Sequence, residues 1–145
     1  MFILFDIGGS HTYIAISKFG DSIDTTKHFQ TPTSYVDAMS LFKETVEELT
    51  GGEPVKYAAG GITGTLNPEH TKLIHAPHLP GWEKENITDD MSRLIGAPVH
   101  MENDSDLAAL GEATYGAGRD HNIVAYMSIS TGIGGGVAIE KQIVP

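Results

Sequence analysis

Two stretches of this sequence follow one plan. "FDIGGSHTYIAI", residues 5 to 16, and "SISTGIGGGVAI", residues 128 to 139, each run from an apolar segment through a polar residue into glycines and back to an apolar segment. Short apolar segments bounded by glycine read as strand, turn and strand. A chain that uses this unit near residue 8 and again near residue 134 is expected to be built as two halves on one plan, with "YGAGRDH" (115 to 121) as the crossing.

The remaining periodicities fill in an α/β order. "FILFDI" (2 to 7), "TYIAIS" (12 to 17) and "DTTKHF" (24 to 29) predict a three-strand meander. Val36, Met39, Phe42, Val46 and Leu49 recur at helical spacing, with Thr33 or Ser34 to cap the start and Gly51-Gly52 to close the end. Strands are predicted at 55 to 59, 98 to 102 and 122 to 129, and helices at 86 to 95 and 104 to 114. Residues 60 to 82, rich in Gly and Pro, form a long excursion of the kind that serves function. Such alternation indicates a mixed sheet flanked by helices.

Composition narrows the partners. With 40% hydrophobic residues in 145 there is enough apolar side chain for a core. Nineteen acidic against nine basic residues give a formal charge of -10, and no Lys/Arg cluster occurs, so neither nucleic acid nor an anionic membrane is an expected partner. The absence of cysteine removes disulfides and thiolate metal sites and is compatible with a cytoplasmic location. "MFILFD" has no basic flank and no long apolar core, and is expected to be a buried strand rather than a signal peptide.

Glycine lets a backbone approach a ligand closely with its N–H groups turned toward an anion, and Ser10, Thr12 and Thr131 add hydroxyl donors. A tight hairpin turn explains one Gly-Gly pair equally well. Gly132, Gly134, Gly135 and Gly136 exceed what a turn needs. No helix pattern follows them, as a dinucleotide fingerprint requires, and no Gly-Lys-Ser/Thr follows, as a Walker loop requires. A second constellation lies in "MENDSDLAALGE" (101 to 112), where a strand gives way to a helix. Asn103 and Asp104 combine a donor, an acceptor and a carboxylate suited to vicinal sugar hydroxyls, and either one also makes a good helix cap. His70, His75 and His78 read as a metal cluster or as solvent-facing side chains, and Trp82 as a loop anchor or a stacking surface.

Taken in order, "FDIGGSH", "GITGTLN", "LPGW", "ENDSDLAALGE" and "STGIGGG" resemble the ROK family of sugar kinases. The resemblance implies an actin-like, ribonuclease-H-like ATPase fold of two lobes, with the sugar and MgATP as partners and a homodimer for the full-length protein. It places Asp6, Gly8, Gly9, Ser10 and His11 in the first phosphate loop and Thr131, Gly132, Gly134, Gly135 and Gly136 in the second. It places Asn103 and Asp104 in the sugar-binding pair, Asp104 as the catalytic base, and Gly64 in the sugar pocket. Asp6 is the candidate to interact with Mg²⁺.

The chain departs from that family at several points. Ser10-His11 replaces the usual Thr-Lys, Thr65 and Asn67 replace Pro and Asp, and Ser105-Asp106-Leu107 replaces small residues. The family's Glu and His sugar ligands, its zinc cluster and its adenosine segment have no counterpart here. The expected division is therefore a first lobe at 1 to 116 and the start of a second, incomplete one at 117 to 145, a fragment inactive alone and exposing Val137, Ala138 and Ile139. Two functions follow: ATP-dependent phosphorylation of a hexose or N-acetylhexosamine, or sugar sensing by a non-catalytic transcriptional regulator. Regulators of the family carry DNA-binding helices ahead of the kinase-like part, and a first strand at Phe2 favours the enzyme.

Overall fold

The computed structural model describes residues 1–129 and 133–144. Its elements are β1 (Phe2–Ile7), β2 (His11–Ser17), β3 (Thr25–Gln30), α1 (Tyr35–Thr50), β4 (Tyr57–Ile62), β5 (Thr65–Leu66), β6 (Leu73–His75), α2 (Ile87–Ile95), β7 (Val99–Asn103), α3 (Asp104–Thr114), β8 (Ile123–Ile129), β9 (Ile133–Ile139) and β10 (Gln142–Ile143). The chain divides into two compact units, Met1–Met101 and Glu102–Pro145.

Alternation organises the first unit. Ile3, Phe5 and Ile7 of β1 are buried while Leu4 and Asp6 are exposed, and the antiparallel register sets Ile16 opposite Ile3 and Ile14 opposite Phe5. The sheet order is β3-β2-β1-β4-β7, with β1 parallel to β4. Helix α1 begins where the Ser34 hydroxyl accepts from the Asp37 amide and ends at Gly51, whose φ of 60° suits a residue without Cβ. Its stripe of Ala38, Met39, Phe42 and Val46 is buried, with Phe42 set edge-on to Phe5 at 6.1 Å. Met39, Phe42 and Val46 each contribute about 1.5–3 kcal/mol on burial.

Order extends into the long excursion. Strand β4 continues to Ile62, and β5 and β6 form a short antiparallel ladder, irregular at Thr65/Leu66. Asn67 holds the turn between them: its carbonyl oxygen accepts from the Thr71 and Lys72 amides at 2.8 Å each, and its amide donates to Glu69 at 2.7 Å. Farther on, Glu83 accepts from the Ala76 amide at 2.9 Å. Trp82 is 1% exposed and meets Tyr35 edge-on at 5.2 Å, which makes it the anchor of the loop and leaves no face for a ligand.

The second unit is a helix on a small sheet. Helix α3 packs on β8 and β9, and Ala109, Ala113 and Ala138 form a core to which Val124 and Tyr126 add. Contacts thus group α3 with the strands that follow it. The β8–β9 register pairs Ile123 with Ile139, Ala125 with Val137 and Ile129 with Ile133, all on the face away from α3, which is exposed and apolar throughout. Val137 and Ile139 lie on that face as expected, whereas Ala138, expected to be exposed, is buried because alternation turns it toward α3.

Candidate active site

The first unit gathers one set of predicted residues at one edge of its sheet. The parallel register Ile7↔Ile62 brings the ends of β1 and β4 level, and the Thr63 amide donates to the Ile7 carbonyl at 3.0 Å. The turn from Gly8 to His11 and the backbone of Gly64 therefore leave the sheet side by side, with Asp6 exposed one residue before the end of β1. The edge beyond the carboxyl ends of parallel strands is where α/β sheets take ligands. The Gly8 amide closes the turn onto the His11 carbonyl at 3.0 Å. A Cβ on Gly9 would lie 2.7 Å from His78 Cβ, so the glycine is demanded by the loop packed against it. Gly64 has φ +116°, and a Cβ there would meet the His75 carbonyl at 2.8 Å. Ser10 and His11 are exposed; the His11 ring lies 6.1 Å from His28 and 6.5 Å from Tyr13, and Tyr13 stacks on His28 at 5.3 Å.

The second unit gathers the other set around the first turn of α3. Asn103 is the cap: its side-chain oxygen accepts from the Ser105 amide at 2.9 Å and the Asp106 amide at 3.2 Å. Asp104 is half-buried and its Oδ1 accepts from the Ser105 amide at 2.7 Å and the Ser105 hydroxyl at 3.2 Å. Gly134, Gly135 and Gly136 lie within β9, paired with Ser128, Met127 and Tyr126, not at a hairpin tip as expected. A Cβ on Gly134 would meet the Ser105 hydroxyl at 2.7 Å, and one on Gly136 the Ser105 carbonyl at 2.5 Å. These two glycines let α3 approach β9. Gly135 faces away and, among the described residues, would meet the Tyr126 carbonyl at 3.1 Å. The remaining two predicted phosphate-loop residues, Thr131 and Gly132, lie outside the described residues.

Two features escaped sequence reasoning. Thr31 bonds the glycine turn of the first unit, although nothing in "FQTPTS" sets it apart from Thr33. Tyr35 donates to Asp90 at 2.8 Å, and burial, reinforced by that bond, holds its phenol well above the usual range. Among the described residues no three His, Asp or Glu groups are placed to hold a metal; His75 and His78 are exposed, and His70 stacks near His100 at 6.4 Å. No helix among the described residues is long and apolar enough to cross a membrane.

The ROK family model matches residues 3–145. The chain belongs to the ROK family. It is 35% identical over 101 residues to a glucokinase of Thermotoga maritima, covering 70% of this chain and 32% of that protein. It is 29% identical over 148 residues to an N-acetyl-D-glucosamine kinase of Yersinia pseudotuberculosis, covering 99% of this chain and 48% of the relative. The crystal structure of a ROK family glucokinase from Streptomyces griseus, in complex with glucose and AMPPNP, superposes with a TM-score of 0.86 at 28% identity over 98% of this chain and 45% of that one. The chain spans half or less of the length of these relatives. Its fold is the actin-like ATPase fold that the motifs imply.

Proposed function

We propose that residues 1–145 carry the phosphate grip and the catalytic base of an ATP-dependent kinase acting on a hexose or N-acetylhexosamine. The observation that supports this most is the setting of Asp104: a carboxylate at the first residue of α3, oriented by Ser105 through Oδ1, beside the Asn103 side chain. Because Oδ1 is committed to Ser105, we assign Oδ2 to the sugar hydroxyl. The hydroxyl oxygen attacks the γ-phosphorus, its proton passes to Asp104, and ADP leaves with the electrons of the broken P–O bond. Phosphoryl transfer through a loose transition state needs little early proton removal, so a carboxylate suffices as base. Asn103 orients a neighbouring hydroxyl, and the Gly64 backbone contributes to the sugar pocket.

The turn from Gly8 to His11 supplies oriented amides, and Ser10 a hydroxyl, to the phosphate oxygens; His11 and the stretch from Thr131 to Gly136 add to that grip. Asp6 is the residue that would hold Mg²⁺, and the ion would supply charge neutralisation at the phosphates. A homodimer and a cytoplasmic location complete the proposal for the whole protein.

A coupled assay of ADP release, run on the full-length protein with a panel of sugars, tests the proposal. Glucose or an N-acetylhexosamine should trigger release. Sugar binding without ADP release would instead make the protein a sensor.

A further inference from the structure

The first glycine turn is fastened from outside by one residue. Thr31, which follows β3, donates its backbone N–H to the Ser10 carbonyl at 2.9 Å and its hydroxyl to the Gly8 carbonyl at 2.7 Å. The same hydroxyl lies 2.9 Å from Thr12 Oγ1, and Thr12 is 2% exposed, so the fastening reaches into the buried face of β2. A residue more than 20 positions away in sequence thus fixes two of the turn's peptide planes. In a trans peptide the carbonyl and the following N–H point in opposite directions. With the Gly8 and Ser10 carbonyls drawn to Thr31, the amides of Gly9 and His11 are both directed away from it. Paired amides turned to one side are the arrangement that grips an anion, and glycine by itself supplies only freedom, not direction.

We propose that Thr31 is a positioning residue for nucleotide binding: its side chain touches no substrate, and it sets the direction in which the turn presents its amides to the phosphates. This rests on the phosphate role assigned to the turn above. A turn left to itself samples other orientations, and each bound phosphate then has to order it, which weakens nucleotide affinity without touching the sugar.

The test uses the full-length protein and its Thr31→Val and Thr31→Ser variants, with the Kd of Mg-AMPPNP by calorimetry and KM for ATP and sugar as readouts. Valine keeps the shape and the backbone bond but removes the hydroxyl. It should raise the AMPPNP Kd and the KM for ATP about five- to tenfold, the loss of one neutral hydrogen bond, while the KM for sugar stays within about twofold. Serine should restore affinity. AMPPNP affinity unchanged in Thr31→Val, or ATP and sugar KM rising together, would overturn the proposal. If Thr31→Val does not fold, Thr12→Val removes only the bond behind the clamp and should still weaken AMPPNP, about two- to threefold; no change there also overturns it. A wild type that binds AMPPNP without turnover sinks the kinase reading alone, since the Kd series still reports on Thr31. A wild type that binds no AMPPNP sinks both.

Discussion

Replacing Gly136 by alanine tests whether the glycines of β9 serve the helix or the ligand. The new Cβ would lie 2.5 Å from the Ser105 carbonyl oxygen, 2.6 Å from Asp106 Oδ1 and 2.7 Å from Asp106 Cα. Ordinary contact begins at 3.4 Å, so the first turn of α3 has to withdraw by about 0.9 Å. Two of the three obstructing atoms are backbone, and no rotamer change relieves them. Overpacking of this kind costs about 1–3 kcal/mol, or a fall in Tm of about 3–9 °C. The withdrawal carries Asn103 and Asp104 with it, and a displacement near 1 Å costs on the order of 100-fold in rate. Gly135→Ala is the control, because its Cβ points away from α3 and meets one carbonyl oxygen at 3.1 Å. Thermal melts on the full-length protein should therefore show Gly136→Ala less stable and Gly135→Ala close to wild type, and coupled ADP release should show Gly136→Ala slow. A Gly135→Ala variant that melts below Gly136→Ala would refute the packing role, since α3 would then not be what sets the size of these residues.

Further outcomes follow from single side chains. Asp104→Asn keeps the shape and the acceptor for Ser105 but loses the base, so turnover should fall at least about 1,000-fold with sugar affinity retained in a calorimetric titration; substantial residual activity would leave Asp104 as a structural residue of the helix start. Among the described residues Trp82 Nε1 has no hydrogen-bond partner, so Trp82→Phe should cost only the volume lost with the smaller ring, about 1–2 kcal/mol in urea denaturation, whereas Trp82→Ala should cost about 3–5 kcal/mol. Tyr35→Phe should cost about 1–2 kcal/mol at neutral pH through the lost bond to Asp90. Because the folded phenol is held above its unfolded value of about 10, the wild type keeps its full stability below that pH and loses it above, and the gap between wild type and Tyr35→Phe should close as pH rises past about 10.

Alternation and capping made most of the fold legible. Ile3, Phe5 and Ile7 alternate with polar or exposed positions, and the α1 stripe ends on a glycine that adopts a left-handed conformation, so both elements stand where their residues predict. The ladder of β5 and β6 was hidden because two and three residues are too few to show a period, and its turn depends on Asn67, whose several bonds no local pattern announces. The glycines of "STGIGGG" were visible, but their reason was not. Gly134 and Gly136 are small because α3 lies on them, and that neighbour is placed by tertiary packing. Asn103 illustrates the opposite case, since cap and sugar ligand need the same side chain and local sequence favours neither.

The position of β1 also bears on how the chain folds as it is made. Its antiparallel neighbour β2 follows within a short turn, but its parallel neighbour β4 pairs Phe2 with Tyr57, 55 residues later. At ribosomal rates of about 5–20 residues per second, β1 waits roughly 3–11 s with one edge unpaired. Only β2, β3 and α1 are present during that interval to shelter it. The salt bridge from Lys27 of β3 to Glu48 of α1, and the ring contact of Phe5 with Phe42, both form among these early residues. They give the nascent chain a way to cover β1 on one face before its partner strand emerges, and make the N-terminal meander the natural first unit to condense.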